Sequence, residues 1–169
     1  HWAQNYYGDL EKQGQSPVSR PLAALNTATA SDGALVHIKG NISKPVLILG
    51  VHNTPCEAVL HHVIKMDKGC SLTLLESGSF ATRLNTVMEV FLEQGASLEH
   101  VRTQGRDHNR LAATHIFSDI QEKAKFKSFT LTANGILTRN ECVLKLSGNN
   151  CTAHVAGASV GDGNKFHHD

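Results

Sequence analysis

Short runs of alternating apolar and polar residues, separated by turn signals, fill the chain from residue 34 onward. Such alternation is typical of strands that bury one face. It predicts ten strands, at residues 34–38, 46–49, 57–66, 70–75, 86–92, 96–103, 112–117, 125–132, 141–146 and 151–156. In the ninth strand we expect Cys142, Leu144 and Leu146 to point inward, whereas Glu141 and Lys145 point outward.

Four of these strands follow a similar turn and a small residue. The segments that begin at Gly69, Gly95, Ala124 and Gly148 can be superposed, and their starts are separated by 26, 29 and 24 along the chain. A period in the twenties with short strands and no long helix indicates a solenoid. The pattern therefore predicts an all-β, parallel β-helix. The alternative is an antiparallel sandwich, which also shows regularly spaced turns.

Residues 1–21 lack any period, because Gly8, Gly14, Pro17 and Pro21 interrupt them. We expect an irregular N-terminal linker over this segment. Residues 22–169 form the predicted β-helix core domain, which begins with a short helical turn at 22–28. The chain lacks an initiator Met and a signal pattern, so we expect a truncated piece of a longer protein, incomplete at one or both ends.

Composition narrows the function. Lys and Arg number 16 and Asp and Glu 15, a net charge of +1 that argues against a nucleic-acid partner. The longest apolar run has six residues, too few for a membrane span. Only 5% of residues are aromatic, which suits narrow aliphatic rungs. The four cysteines form no Cys-x-x-Cys pair, which favours reduced thiols and a cytoplasmic location.

Eleven histidines suggest metal chemistry, but their positions do not favour it. His61 and His62 are neighbours in a strand and must point to opposite faces, so we expect one exposed and one part-buried ring. His167, His168 and Asp169 are expected to lie in an exposed loop. With these histidines set aside, the residues left as weak candidates for metal ligands are Cys142, Cys151 and His154.

Alternation places Cys142 and Cys151 on the apolar side and His154 on the opposite side, so we expect two buried thiols rather than a metal site. Motifs for a catalytic serine, a phosphate loop or a dinucleotide are missing from the sequence. A carbohydrate-active β-helix enzyme would need carboxylates aligned along a groove, but these are scattered, at Glu89, Glu99, Asp107 and Asp119. We therefore expect no enzyme activity, no catalytic residue and no metal, and the cofactor-binding residues are unknown.

Several segments together resemble the core domain of the SufD family. Residues 21–28 and the Asp32–Gly33 turn resemble the start of that domain. Two later segments of that domain are similar to residues 61–78 (HHVIKMDKGCSLTLLESG) and 139–148 (RNECVLKLSG). The family segment that comes next is similar to the stretch from His154 to Asp169. The resemblance covers most of the chain from Pro21 onward. The paralogous SufB shares this core, but the Asp32–Gly33 turn and the lack of a Cys-rich N-terminal segment favour SufD.

The resemblance implies a right-handed parallel β-helix that acts as a non-enzymatic scaffold in iron–sulfur cluster assembly. It implies pairing with SufB through the β-helix edge. It also implies binding of the ATPase SufC through a region beyond this chain. A cluster would form only in the assembled complex, through a histidine that the family carries after Asp169. A homodimer of the isolated chain, a SufB-like role and a carbohydrate-active enzyme remain the alternatives.

Overall fold

The structure, a computed structural model, describes residues 2–51, 56–78, 81–105, 108–162 and 165–169. Ten strands form two five-stranded sheets. Sheet A contains, in spatial order, β1 (Leu35–Ile38), β3 (Glu57–Met66), β5 (Arg83–Leu92), β7 (Leu111–Ile120) and β9 (Leu137–Leu146). Sheet B contains β2 (Val46–Gly50), β4 (Ser71–Gly78), β6 (Ser97–Gln104), β8 (Lys125–Ala133) and β10 (Thr152–Val160).

The chain alternates between the two sheets, and every strand pairs in parallel with the strand two places along. One strand of sheet A and the next strand of sheet B make one rung of a solenoid. The parallel β-helix is therefore confirmed, and the antiparallel sandwich is wrong. All ten predicted strands are present, several of them longer than the pattern indicated.

The turn from sheet A to sheet B contains a left-handed residue in each of four rungs. These residues are Gly69, Gly95, Lys123 and Asn150, with φ between 57° and 71°. Their separations along the chain are 26, 28 and 27, so the predicted separation of 26 is confirmed, but those of 29 and 24 are wrong. The sequence pattern followed glycine, which favours positive φ. In the last two rungs Lys123 and Asn150 occupy that position instead.

The apolar core fills the half of the interior next to these turns. Its buried side chains come from both sheets and stack in columns, for example Leu72, Leu98 and Phe126 in sheet B. Small residues (Cys70, Ala96 and Ala124) occupy the tight turns at its edge. Because each rung covers the apolar residues of the one before, no rung can bury its own inner face alone.

Helices cover the outer face of sheet A. The expected linker contains a 3-10 helix (Trp2–Asn5) and a short helix α1 (Asp9–Gln13), and α2 spans Pro21–Thr29. Leu10 of α1 and Ala23 of α2 pack on Val87 and Phe117 of the sheet. The N-terminal segment is thus ordered against the β-helix, which local periodicity could not show, because its contacts lie far along the chain. The domain boundary at residue 22 stays a prediction.

No helix among the described residues covers the outer face of sheet B, which exposes several large apolar side chains, including Leu47, Leu49 and Phe129. The longest helix described, α2, has nine residues. Of the helices in the described ranges, none is long and apolar enough to cross a membrane.

Candidate functional site: a polar strip in the solenoid interior

Polar side chains fill the other half of the interior. Strand β6 shows the cause, because His100, Arg102 and Gln104 alternate in phase with the buried Leu98 and so must point inward. We call this region the polar strip, and its inward residues are Glu76, His100, Arg102, Gln104, Thr114, Ser128, Thr132 and Asn140.

A buried carboxylate organises the strip. Oε2 of Glu76 accepts hydrogen bonds from His100 Nε2 at 2.6 Å and from Arg102 Nε at 2.8 Å. Burial alone would raise the pKa of Glu76, but the charge of Arg102 and the hydrogen bond from His100 hold that pKa well below its usual range. Burial lowers the pKa of His100, which is therefore neutral at pH 7. Its Nδ1 accepts from the hydroxyl of Ser128 at 2.9 Å.

A chain of hydrogen bonds leads from the arginine towards the last rung. Arg102 Nη1 donates to Thr114 Oγ1 at 2.9 Å, and Thr114 donates to Asn140 Oδ1 at 2.6 Å. The amide of Asn140 also meets Gln104, and its Nδ2 lies 3.0 Å from Nε2 of His168. Because Arg102, Thr114 and Asn140 lie on β6, β7 and β9, the network ties successive rungs together.

Two buried N–H groups of the interior have no hydrogen-bond partner among the described residues. One is Arg102 Nη2, and the other is Nε2 of His62. Nδ1 of His62 accepts from the backbone N–H of Ala34 at 2.9 Å, so the ring proton sits on Nε2. Burial lowers the pKa of His62, which keeps the ring neutral. The solenoid interior thus contains two N–H groups that could donate to a further acceptor.

A cavity of about 190 Å³ lies at the end of the strip nearest β9 and β10. Arg102, Ser128 and Asn140 supply polar groups to its wall, and Cys142 and Val155 lie beside them. Partial burial raises the pKa of the Cys142 thiol to about 11. The thiol is therefore protonated at neutral pH when no metal is bound.

The structure does not bring the three weak metal candidates together. Cys142 lies inside β9 in register with the buried Ile116, so its inward direction is confirmed. The expectation of two buried thiols is wrong, because Cys142 is exposed and Cys151 is half-buried in the last rung described, where no further strand covers them. Cys151 packs against the apolar core just before β10, and His154 faces outward in register with Lys127. Within the part of the chain that the structure describes, no three His, Cys, Asp or Glu side chains are grouped to hold a metal ion.

Residues 51–169 match the protein family described as SUF system FeS cluster assembly, SufBD core domain. The chain belongs to the SufBD core family. This places its role in iron–sulfur cluster assembly and confirms the sequence resemblance at the level that SufB and SufD share. No curated protein and no solved structure matches the chain.

The SufBD core differs from the sequence prediction at the adjacent histidines. His61 and His62 do point to opposite faces, but both are buried, so the expected exposed ring is wrong. Nε2 of His61 lies 2.8 Å from Oε2 of Glu89, beneath the N-terminal helices. The prediction failed because it took the outer face of sheet A for a surface, whereas α1 and α2 cover it.

At the end of the chain, residues 167–169 are exposed but not irregular. They pair in parallel with β9, where the N–H of Thr138 donates to the carbonyl of His167 and that of Asn140 to the carbonyl of Asp169. His168 is thereby placed against the polar strip.

The scattered carboxylates do not line a common groove in the SufBD core. Glu89 lies under the helices, Asp119 is in register with Phe91 on the outer side of sheet A, and Glu99 lies on the outer face of sheet B. Asp107 lies outside the described residues. Glu76, His100 and Arg102 are not among the predicted site residues, although they alternate in phase with the buried Leu72 and Leu98, which indicates that they point inward.

Proposed function

We propose that this chain is a SufD-type, non-enzymatic scaffold subunit of the Suf complex, which pairs with SufB and with the ATPase SufC in the cytoplasm. Membership of the SufBD core family supports a place in that assembly. The proposal further holds that the chain binds no resident cofactor and that any cluster forms in the complex.

The family match is the observation that carries the proposal. The SUF-system core domain matches residues 51–169, which contain eight of the ten strands of the β-helix. We therefore propose that the β-helix is the part of the chain that pairs with SufB.

A turn near the start of the solenoid supports the SufD type over the SufB type. The N–H of Gly33 donates to Oδ1 of Asp32 at 2.7 Å, and Asp32 bridges to Leu60 of β3. A Cβ on Gly33 would lie 1.9 Å from the carbonyl oxygen of His61, so only glycine fits there. The packing therefore requires glycine at position 33 of the turn that carries the resemblance to SufD. A SufB-like subunit remains the second candidate.

The hydrogen bonds of the buried carboxylates support the proposal that the chain is not an enzyme. Glu76 is committed to His100 and Arg102, and Glu89 to backbone N–H groups of the N-terminal segment. A carbohydrate-active enzyme is not favoured, because the aromatic rings that could stack on sugars are packed together at the N-terminal segment, at Trp2, Tyr6 and Tyr7.

Co-purification tests the proposal. The tagged chain is co-expressed in turn with SufB and SufC and with SufD and SufC. Retention of SufB supports the SufD type, retention of SufD supports the SufB type, and retention of neither partner overturns the proposal.

A further inference from the structure

Two columns of inward side chains become shorter along the solenoid and leave space between them. Register pairing aligns Met88, Ile116 and Cys142 in sheet A, and Arg102, Thr130 and Gly157 in sheet B. The first column thus ends in a small side chain and the second in none. The cavity of about 190 Å³ lies at these shortened ends, where both Cys142 and Gly157 line it.

The guanidinium of Arg102 presents an unused donor at this cavity. Its Nε donates to Glu76 and its Nη1 to Thr114, whereas Nη2 is buried and has no hydrogen-bond partner among the described residues. Arg102 is 5% exposed, and it lines the cavity together with Thr114. Because buried polar groups in native proteins are nearly always paired, Nη2 marks the place of a further acceptor.

The charges nearest to this donor cancel. The carboxylate of Glu76 balances Arg102, and His100 beside them is neutral. Glu141 also lines the cavity, but its carboxylate is paired with Arg20, which belongs to the N-terminal segment outside sheet A. An ion in the cavity would therefore be buried without a counter-charge, which is costly, so the site favours a neutral ligand.

Other polar groups of the wall bond to one another. The hydroxyl of Ser128 donates to Nδ1 of His100, and that of Thr114 donates to Oδ1 of Asn140. Ile116 and Val155 add apolar surface to the same wall. The wall is thus complementary to a molecule that has one acceptor atom and an apolar body.

We propose that the cavity binds a small neutral molecule with one carbonyl-type oxygen on a compact apolar body. The oxygen accepts from Nη2 of Arg102, and the body lies against Ile116 and Val155. An apolar cavity of about 150 Å³ is known to hold benzene, so about 190 Å³ suits roughly six to eight non-hydrogen atoms. Small cyclic ketones, amides and lactones belong to this class.

So few atoms give weak binding, and we expect a dissociation constant on the order of 1 mM. The inference is independent of the role in cluster assembly, because it concerns the interior of the chain alone.

Nuclear magnetic resonance of the purified chain, labelled at arginine nitrogens and isoleucine methyl groups, tests the site with three probes of similar size. N-methylpyrrolidone is neutral and has one carbonyl oxygen, cyclopentanecarboxylate is an anion, and protonated N-methylpyrrolidine is a cation. We expect N-methylpyrrolidone alone to shift the guanidinium signals of Arg102 and the methyl signal of Ile116, with saturation.

A substitution at Cys142 tests the cavity without removing the donor. Cys142→Met fills the space with the side chain that begins the same column, at Met88, and leaves the hydrogen bonds of Arg102 in place. The dissociation constant for N-methylpyrrolidone should rise by about tenfold or more. The matched control, Cys142→Ser, keeps the space and should change that constant by less than about twofold. Because Cys142 is exposed, both variants should keep the fold, which circular dichroism checks.

Any one of three results would overturn the inference. The absence of a saturable shift up to about 50 mM N-methylpyrrolidone would leave water as the acceptor at Nη2. Equal binding by wild type and Cys142→Met would assign the probe to another surface. Tighter binding of cyclopentanecarboxylate than of N-methylpyrrolidone would show that the site selects an anion.

Discussion

The interior of the SufBD core keeps its charge because each charged group has a committed partner. Glu76, His100 and Arg102 are all at least 95% buried. The carboxylate receives one hydrogen bond from each of the other two side chains. Removal of one charged partner leaves the other charge buried without compensation. Removal of both also removes the free-energy cost of burying a charge.

Arg102→Met should therefore lower the free energy of unfolding by about 3–5 kcal/mol. The double variant Glu76→Met/Arg102→Met should be more stable than Arg102→Met alone, because no charge is left unpaired. Urea unfolding followed by circular dichroism measures both. Arg83→Met in the exposed pair with Glu57 is the control and should change stability by less than about 1 kcal/mol. A double variant less stable than Arg102→Met would contradict this account.

Buried neutral histidines predict an acid-sensitive fold. Burial lowers the pKa of His62, His100 and His115 from the ordinary value of 6.5. Below pH 6.5 the unfolded chain binds protons that the folded chain refuses, so stability rises with pH and is lost on acidification through that value. Each histidine should contribute on the order of 1 kcal/mol per pH unit.

Urea unfolding at pH 7, 6 and 5 measures this slope. His115→Gln should lower the slope of unfolding free energy against pH by the contribution of one buried histidine. His154→Gln should leave the slope unchanged, since His154 is exposed. An unchanged slope in His115→Gln would show that this ring is not the group that titrates.

For single residues, the sequence predicts which way a side chain points better than it predicts what packs around that side chain. Alternation placed Cys142 inward and His154 outward, and both directions are confirmed. It could not show that the outward His61 is buried, because the helices that cover it lie much earlier in the chain. Nor does one strand show that Glu76 of β4 meets Arg102 of β6, since only the register between strands brings them together.

Among the elements, the turns determine register. Gly95 and Lys123 occupy the same left-handed position in successive rungs, with φ of 71° and 58°. A side chain at positive φ costs about 1–2 kcal/mol, so the two positions should respond in opposite directions to substitution.

Lys123→Gly should stabilise the chain by about 0.5–1 kcal/mol, and Gly95→Lys should destabilise it by about 1 kcal/mol. Thermal and urea unfolding of the two variants give the comparison. The same sign for both substitutions would show that φ does not govern stability at this turn. Because residues other than glycine can adopt this conformation, the superposed turns and small residues predicted the register correctly in one of three steps.

A single carboxylate on sheet A binds the start of α1. Glu89 is fully buried and accepts hydrogen bonds from the backbone N–H groups of Gly8, Leu10 and Glu11, at 2.6 to 3.0 Å. A glutamine at this position would point its NH₂ group, a hydrogen-bond donor, at backbone N–H groups that also donate. The partners of Glu89 lie far earlier in the chain, which explains why the segment was predicted to be irregular.

Glu89→Gln should lower stability by about 2–4 kcal/mol and release the segment. Trp2, the single tryptophan, reports the release, because its ring lies 5.2 Å from that of His37 and should become exposed to water. A red shift of the fluorescence at temperatures where β-sheet circular dichroism persists would show it. The control is Glu57→Gln, at an exposed carboxylate. Unchanged emission in Glu89→Gln would contradict the role of the carboxylate.

For the whole molecule, stability depends on how many neighbours each rung has. Strands β5 and β7 have a strand on each side, the core beneath and helices above, whereas β10 has one neighbour and is exposed throughout. In a stack where each rung contacts only its neighbours, opening should begin at such an end.

Native-state hydrogen exchange should therefore show amides of β5 and β7 protected at least 100-fold more than those of β10. Equal free energies of exchange in all strands would indicate that the solenoid opens as a single unit. The period in the sequence predicts the stack itself, but not this gradient, which depends on the cover that distant segments supply.

The rung lengths show where this chain can change size. The residue number advances by the same amount, 14, from Glu57 to its counterpart Ser71, from Arg83 to Ser97 and from Leu111 to Lys125. On the return from sheet B to sheet A it advances by 12, 14 and 12 in the same three rungs.

The longer return falls between β6 and β7, where the guanidinium of Arg110 donates to the carbonyls of Ala133 and Asn134 of the next rung. The return from β6 to β7 is two residues longer than the other two returns, yet the inward side chains of successive strands remain in register. It is thus the natural place to splice in a foreign loop, such as an epitope or a fluorescent reporter, without disturbing the stack.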